Sequence, residues 1–469
     1  MLTVLDSGDA NFDRDLARLL ERGDRDRAGA AAAKLEAEVA GIIRAVRERG
    51  DAALVEFTAR FDHRDISRAA QLEVPRAELD AAVEVLESES AESAALADAL
   101  RAAAARITQF HELEAEQLRR DWRFDAPDGT RLGQRVTALQ RVGVYVPGGQ
   151  AAYPSSALMT VIPAKVAGVG EVIMTVPAPR GELGSAVLAA AKLAGVDRVF
   201  TVGGAQAVAA LAYSTATVPG VDKIVGPGGR HVTEAKRQVF GKVGIDMLAG
   251  PSEVAVVCDA AADPDWVAMD LFAQAEHDRH AQAVAITDSA AMAAAIGDSA
   301  ARLLPQMARR EIIAQALAEH GAIISVADLD QAVAVANRIA PEHLELMVAR
   351  PRALIGKVRH AGAIFAGAHS AEALGDYCAG PNHVLPTAGA ARFASPLGVA
   401  DFRKTSNWLE VSRAGAAEMA KIAAALARAE GLDAHARAAE YRLGGDGGGD
   451  GGRGGDGDGG RGAGGADSA

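Results

Sequence analysis

RVGVYVPGGQAAYPSSALMTVIPAKVAGVGEVIMTVPAPRGELGSAVLAAAKLAGVDRVFTV, residues 141–202, decides the fold. Short β-branched runs, VGVYV at 142–146, EVIMTV at 171–176 and RVFTV at 198–202, alternate with segments suited to helices, such as the Ala-rich one near 184–194. Strands separated by helices pair in parallel, because each crossover returns the chain to the same end of the sheet. VDKIV at 221–225 adds another strand. Beyond a Gly-rich junction the rhythm resumes with SEVAVVCD (252–259), a helix from Pro264 to Glu276, QAVAITD (282–288) and a long helix. GAIISV (321–326), a helix from Leu329 to Ile339 and GAIFAG (362–367) complete it. The pattern predicts two doubly wound α/β lobes.

Outward from this region the character changes at both ends. After a short leader to about Asn11, the first third is rich in Ala, Arg and Glu, with Leu35, Val39, Ile42, Ile43 and Val46 at helical spacing. A helical arm and bundle is expected there. Past Arg442 the chain reads GGDGGGDGGRGGDGDGG, which has nothing to bury against its ordering entropy and reads as a disordered tail. A calcium-binding repeat is rejected there, because the Asp spacing is irregular and apolar positions are absent.

A chain of 469 residues exceeds one compact core and accommodates an enclosed cleft between lobes. Apolar residues make up 49% and aromatics only 4%, which suits closely packed helices on sheets rather than an aromatic binding platform. The net charge of -13 argues against nucleic acid or an anionic membrane as the main partner and favours a small-molecule substrate. Two cysteines, Cys258 and Cys378, make no disulfide framework and read as small buried hydrophobes. With no basic segment and apolar core after Met1, the expected compartment is the cytoplasm. The uncharged stretches 142–164 and 199–221 are long enough to span a membrane, but their Gly, Pro, Ser, Thr and Gln break them into strand, loop and helix pieces.

Four clusters carry chemistry. In QAEHD, Gln274 and His277 lie three apart at a predicted helix end, so an amide oxygen and an imidazole can converge on a metal while Glu276 points elsewhere; a solvated helix-end histidine is the plainer alternative. In APEHLEL, Glu342 and His343 follow an amphipathic helix and offer two proton acceptors at one junction; an exposed polar loop is equally compatible. Asp376 and His383 lie in the Gly- and Pro-punctuated GDYCAGPNHVLPT, a carboxylate and imidazole on an expected loop. EGLDAH holds Glu430 and His435 in a terminal helical segment where packing is the ordinary role. The glycine segments GVYVPGGQAAYPSS, VGGAQAVAALAY and DKIVGPGGRHV each follow a predicted strand, where backbone N–H groups can approach a ligand phosphate. No GxGxxG precedes the tail, so a dinucleotide site is indicated by topology alone.

Seven blocks in order, GVYVPGG (143–149), VGGAQA (202–207), DMLAGPSEV (246–254), QAEHD (274–278), APEHLEL (340–346), GDYCAGPNHVLPT (375–387) and EGLDAH (430–435), resemble histidinol dehydrogenases. The resemblance runs from the N-terminal arm to about Arg442. It implies an α/β fold of two incomplete Rossmann-like doubly wound domains with helical N-terminal and C-terminal extensions. The expected division is a helical arm at 1–40, a discontinuous first α/β domain at 41–144 and 257–397, and a second Rossmann-like domain at 145–256. A C-terminal extension exchanged between subunits follows at 398–442, and the Gly- and Asp-rich tail at 443–469.

The resemblance further implies a homodimer, cytoplasmic, that oxidises L-histidinol through bound L-histidinal to L-histidine with NAD and one zinc ion per subunit. By position, Gln274, His277 and Asp376 match the family's zinc ligands from one subunit, and His435 the ligand from the other. Ser252, His383 and Glu430 match substrate contacts, as do the four metal-binding positions and His343. Glu342 and His343 match the catalytic pair, and Tyr145 and Gln206 the residues that hold NAD. One position departs: the family motif GPGN reads GPGG here, with Gly229 in place of the Asn that contacts the cofactor, which implies weaker NAD binding with intact chemistry. Two rival activities are weighed against this one: oxidation of another small alcohol such as a sulfonated diol, and zinc-dependent hydrolysis with Glu342 activating a metal-bound water. The Ser252, His383, Glu430 and His435 shell opposes the first, and the Gly-rich segments after parallel strands oppose the second.

Overall fold

A computed structural model of the protein describes residues 2–21, 29–148 and 153–443. The Gly- and Asp-rich tail and residues 149–152 of the first glycine segment lie outside the described residues. The chain divides into two compact units, Met1–Arg119 with Thr137–Lys404, and Arg120–Val136 with Thr405–Ala469.

The first unit holds two parallel sheets, as the alternation of strands and helices predicts. One has five strands in the order Arg198–Phe200, Glu171–Thr175, Arg141–Tyr145, Lys223–Val225, Gly244–Ile245. The other has six, in the order Thr3–Asp6, Gly321–Ser325, Gln282–Thr287, Glu253–Cys258, His343–Met347, Ala363–Ala366. The edge strand Thr3–Asp6 pairs in parallel with Gly321–Ser325, so the stretch expected only as a leader completes this sheet. Four residues, TVLD, are too few to show an alternation, and the partner strand lies over 300 positions away.

Strand periodicity explains the core. In Glu253–Cys258 the side chains of Val254, Val256 and Cys258 join one apolar cluster, while Ala255 and Val257 join the cluster on the opposite face. Helices cover both faces, so the strand is a continuous apolar run rather than an alternating one. Cys258 is wholly buried there, and burial pushes its thiol up to about 12, consistent with a small core hydrophobe. The five-stranded sheet is covered likewise, with Val142 and Val144 in one cluster and Tyr145 and Ile224 in the other. Full burial of such Val, Leu and Ile side chains contributes roughly 1.5–3 kcal/mol each, which makes these four clusters the main source of stability.

Both sheets reverse their strand order at a switch point. In the five-stranded sheet it falls between Arg141–Tyr145 and Lys223–Val225, which are adjacent in space but distant in sequence. Ligands of open parallel sheets bind at the carboxyl ends of strands beside such a point. Tyr145 ends one of these strands, and GPGG begins one residue beyond Val225.

The second unit is described by itself. It contains the strand Trp122–Asp125, antiparallel to Arg131–Ala138, with Arg403–Glu410 on the other side, where the sequence suggests only a helical bundle. Its helix Arg413–Ala429 is capped by Ser412, whose hydroxyl accepts the Gly415 N–H at 2.9 Å, and is followed by the helix Asp433–Glu440. Among the described residues no helix is long and apolar enough to cross a membrane.

Candidate active site

Each reactive side chain is delivered by a local device. The helix Pro264–Ala275 begins where the Asp263 carboxylate accepts the Asp265 N–H at 2.8 Å and Pro264 occupies the first helical position. Twelve residues on, it closes with Gln274 wholly buried in its last turn. His277, expected on the same helical face, instead lies in the turn beyond, its N–H donating to the Gln274 carbonyl at 3.2 Å.

The helix Leu329–Ile339 is capped by Asp328, which accepts the Gln331 N–H at 2.7 Å, and ends at Ala340 with φ +52. A left-handed residue with a Cβ costs roughly 1–2 kcal/mol, and Pro341 bars further helix, so the chain turns sharply into the strand His343–Met347. The turn buries Glu342 and His343 at the amino end of that strand, next to Glu253 at the start of its neighbour. An exposed loop is thereby excluded. Asp376, expected on a loop, lies on the short helix Glu372–Tyr377, one turn after Glu372 and therefore on the same face. His383 is on the irregular segment that follows. Asn382 anchors this segment by donating to the Met159 carbonyl of the other lobe at 2.6 Å, and its Oδ1 accepts the Val384 N–H at 2.9 Å. Further along, the Ala388 N–H donates to Glu253 at 3.1 Å. The segment from 382 to 388 thus straps the two lobes together and carries His383 between them.

His343 is the centre of the arrangement. Its Nδ1 lies 3.0 Å from the Glu253 carbonyl oxygen, which makes Nδ1–H the donor and leaves Nε2 as the nitrogen that can exchange a proton. Nε2 is buried without a hydrogen-bond partner, 3.5 Å from Asp376. With its NH2 turned inward, the Gln274 amide donates to the Glu253 carbonyl at 3.0 Å and to Glu372 at 3.3 Å. That orientation leaves the amide oxygen as the atom with which Gln274 can ligate. The Glu342 carboxylate accepts the Glu253 N–H at 2.9 Å and stands 3.8 Å from His343.

Burial raises the carboxyl groups of Glu253 and Glu372 to about 8 and that of Glu342 to about 7, in each case against the pull of His343. For His343 burial acts downward, but Glu342, Glu372 and Asp376 outweigh it and push the imidazole up to about 10. Asp376 is held below its ordinary value despite burial, by the His343 imidazole 3.5 Å away and by the nearby His383 and His277. Such opposed shifts at one spot are the electrostatic mark of acid–base chemistry.

Ligand atoms of His277, Glu372 and Asp376 lie within 4.8 Å of one another. One imidazole and two carboxylates form a donor set that suits zinc, and Nε2 of His383, also buried without a partner, points to a missing electron-pair acceptor or hydrogen-bond donor. The residues present therefore fit a zinc ion. Ser252 is half-buried immediately before Glu253, its carbonyl accepting the Gln282 N–H at 2.9 Å. Glu430 and His435 belong to the other compact unit, where both are exposed.

The positions expected to meet a cofactor cluster at the carboxyl edge of the five-stranded sheet. The buried Tyr145 hydroxyl accepts the Gly204 N–H at 3.1 Å, where the helix Gly204–Tyr213 begins, and burial pushes that hydroxyl up to about 12. Gln206 is buried in the first turn of the same helix. Gly226 has φ +111, and a Cβ there would meet the Tyr145 carbonyl oxygen at 2.2 Å, so only glycine lets these two strand ends close up. Gly229 precedes the helix Arg230–Val239 with an ordinary φ of -64 and nothing within 4 Å of a Cβ built on it.

Glu253 and Glu372 did not emerge as candidates from the sequence. Their signals were present: a lone acid opening the apolar run EVAVVC, and an acid four positions before Asp376.

A family model for histidinol dehydrogenase matches residues 25–443. A histidinol dehydrogenase of Pseudomonas fluorescens is 59% identical over 405 residues, covering 86% of this chain and 90% of that one. One of Chromobacterium violaceum is 60% identical over 409 residues, covering 87% and 92%. The crystal structure of histidinol dehydrogenase from Elizabethkingia anophelis aligns with a TM-score of 0.84 at 31% identity, covering 94% of this chain and 98% of that one. The likeness extends over nearly the whole length of these relatives, and the chain belongs to the histidinol dehydrogenase family.

Proposed function

We propose that the protein oxidises L-histidinol to L-histidine in two sequential NAD-dependent steps, in the cytoplasm, as a homodimer with shared active sites. The observation that carries the reading is the buried pair Glu342–His343, with His343 Nε2 left without a partner among groups suited to bind a metal and an imidazole.

Gln274, His277 and Asp376 would hold zinc, with His435 supplied by a second subunit, and the ion would position the substrate and polarise its oxygen. Glu372 supports this set from behind, through the Gln274 amide. Ser252, His383 and Glu430 complete the substrate shell.

His343 Nε2 takes the proton of the substrate hydroxyl as the carbon-bound hydrogen leaves with its electron pair to NAD, giving the aldehyde, NADH and one proton. Glu342, whose carboxyl near 7 exchanges its proton readily at neutral pH, then removes a proton from the water that adds to the aldehyde carbon. The resulting hydrate loses a second hydride to NAD, with His343 again taking the hydroxyl proton, and the carboxylate is formed. Burial of both groups keeps bulk water away from the aldehyde between steps.

The test supplies a limiting, known amount of L-histidinol with excess NAD to zinc-loaded protein, with and without a chelator. About two NADH per histidinol, lost on chelation and restored by zinc, is the expected result. One NADH per histidinol would end the reading of Glu342 as the water-activating base, and none would overturn the substrate assignment in favour of another alcohol or a hydrolytic reaction.

Gly229 adds a prediction about the cofactor. Because its φ suits any residue and the space about it is open, Gly229→Asn fits without strain and adds the side-chain contact that the family motif carries. One added hydrogen bond contributes on the order of 1 kcal/mol, so the KM for NAD should fall about five-fold with kcat unchanged. An unchanged KM would show that this position does not face the cofactor.

A further inference from the structure

We propose that Glu345, which has no part in the chemistry above, is the positioning residue that holds the metal-binding elements in register. It lies two residues after His343 on the same strand, and its side chain is buried, 2% exposed. Its Oε1 accepts the Glu372 N–H at 2.7 Å, at the first position of the helix that presents Glu372 and Asp376. Its carboxyl also lies against the carboxyl of Asp270, which is one helical turn before Gln274 on the helix Pro264–Ala275. One side chain thus joins three elements: the strand that starts with His343, the helix that ends with Gln274 and the helix that carries Asp376.

Burial together with the neighbouring acid Asp270 raises Glu345 well above its ordinary range. Glu345 Oε2 is buried without a hydrogen-bond partner among the described residues. The bond from Glu345 to the Glu372 backbone fixes a helix of only six residues that has no side-chain cap of its own. Groups that orient metal ligands in this way typically govern affinity by about 10–100-fold.

This inference rests on the zinc reading, and the experiment separates the two. Cobalt(II) is titrated into the metal-free full-length protein and followed by its visible absorption, beside circular dichroism and thermal unfolding. Glu345→Leu, which removes the acceptor, should fold with the wild-type spectrum yet bind cobalt about 10–100-fold more weakly. Glu345→Gln, whose amide oxygen still accepts from Glu372 and whose NH2 can donate to Asp270, should stay within a few-fold of wild type. Asp270→Ala, at a half-exposed position, should also weaken binding, and it decides the matter if the Leu variant fails to fold. Wild-type affinity in Glu345→Leu, or in Asp270→Ala where the Leu variant does not fold, overturns the positioning role. Failure of the wild-type chain to take up cobalt overturns the zinc reading and this inference with it.

Discussion

Glu342→Gln is expected to leave the first oxidation largely intact and to slow the second by about 10²–10⁴, the usual worth of a positioned general base. Glutamine has nearly the same shape, and its amide oxygen still accepts the Glu253 N–H that now binds the carboxylate at 2.9 Å, so the turn after Ala340 survives. What is lost is proton acceptance from water, on which only the aldehyde hydrate depends. His343 also loses one of the carboxylates that hold its proton, which favours the neutral imidazole needed for the first step. The measurement is a single turnover with histidinol, followed by the same enzyme supplied with histidinal directly. One fast equivalent of NADH from histidinol and a slow reaction from histidinal is the expected pattern. Equal slowing of both half-reactions would assign Glu342 to a task common to them, such as binding or holding His343.

The contrast between what the sequence disclosed and what it concealed follows from the range of the interactions. The parallel sheets were legible because each strand such as EVIMTV is a local object, bounded by its own turns and followed by its own helix. Gln274, His277, Glu342, His343, Asp376 and His383 were legible because they sit in short blocks with reactive side chains in unusual company. Glu253 was not: its importance comes from its carbonyl meeting the His343 ring, a contact between residues 90 positions apart. Glu345 was read as part of APEHLEL, but its contacts with Glu372 and Asp270 belong to tertiary packing that no spacing rule contains. The strand Thr3–Asp6 was hidden for the same reason, since its partner lies over 300 positions away, and the strand Arg131–Ala138 gains one of its two neighbours, Arg403–Glu410, from the far end of the chain. The loop expected around Asp376 illustrates a different limit. Six residues of helix carry too little periodicity to outweigh the Gly and Pro around them.

The shared-site proposal makes the second large prediction. Gln274→Ala and His435→Ala should each abolish activity, the first by removing a ligand from the main body of its own subunit and the second by removing one supplied to the partner. When equal amounts of the two inactive variants are unfolded and refolded together, half of the dimers are mixed. Each mixed dimer has one site in which an intact Gln274 meets an intact His435, and one site lacking both. Activity should therefore return to about a quarter of the wild-type level, with zinc content rising in parallel. Refolding each variant alone must give nothing. The exposure of Glu430 and His435 on helices that otherwise leave Ile422 and Leu426 uncovered is the arrangement expected of a segment built to meet another subunit. No recovery in the mixture, with mixed dimers demonstrated by a size tag on one variant, would place Gln274 and His435 in the same chain's site and remove the exchange of the C-terminal extension from the account.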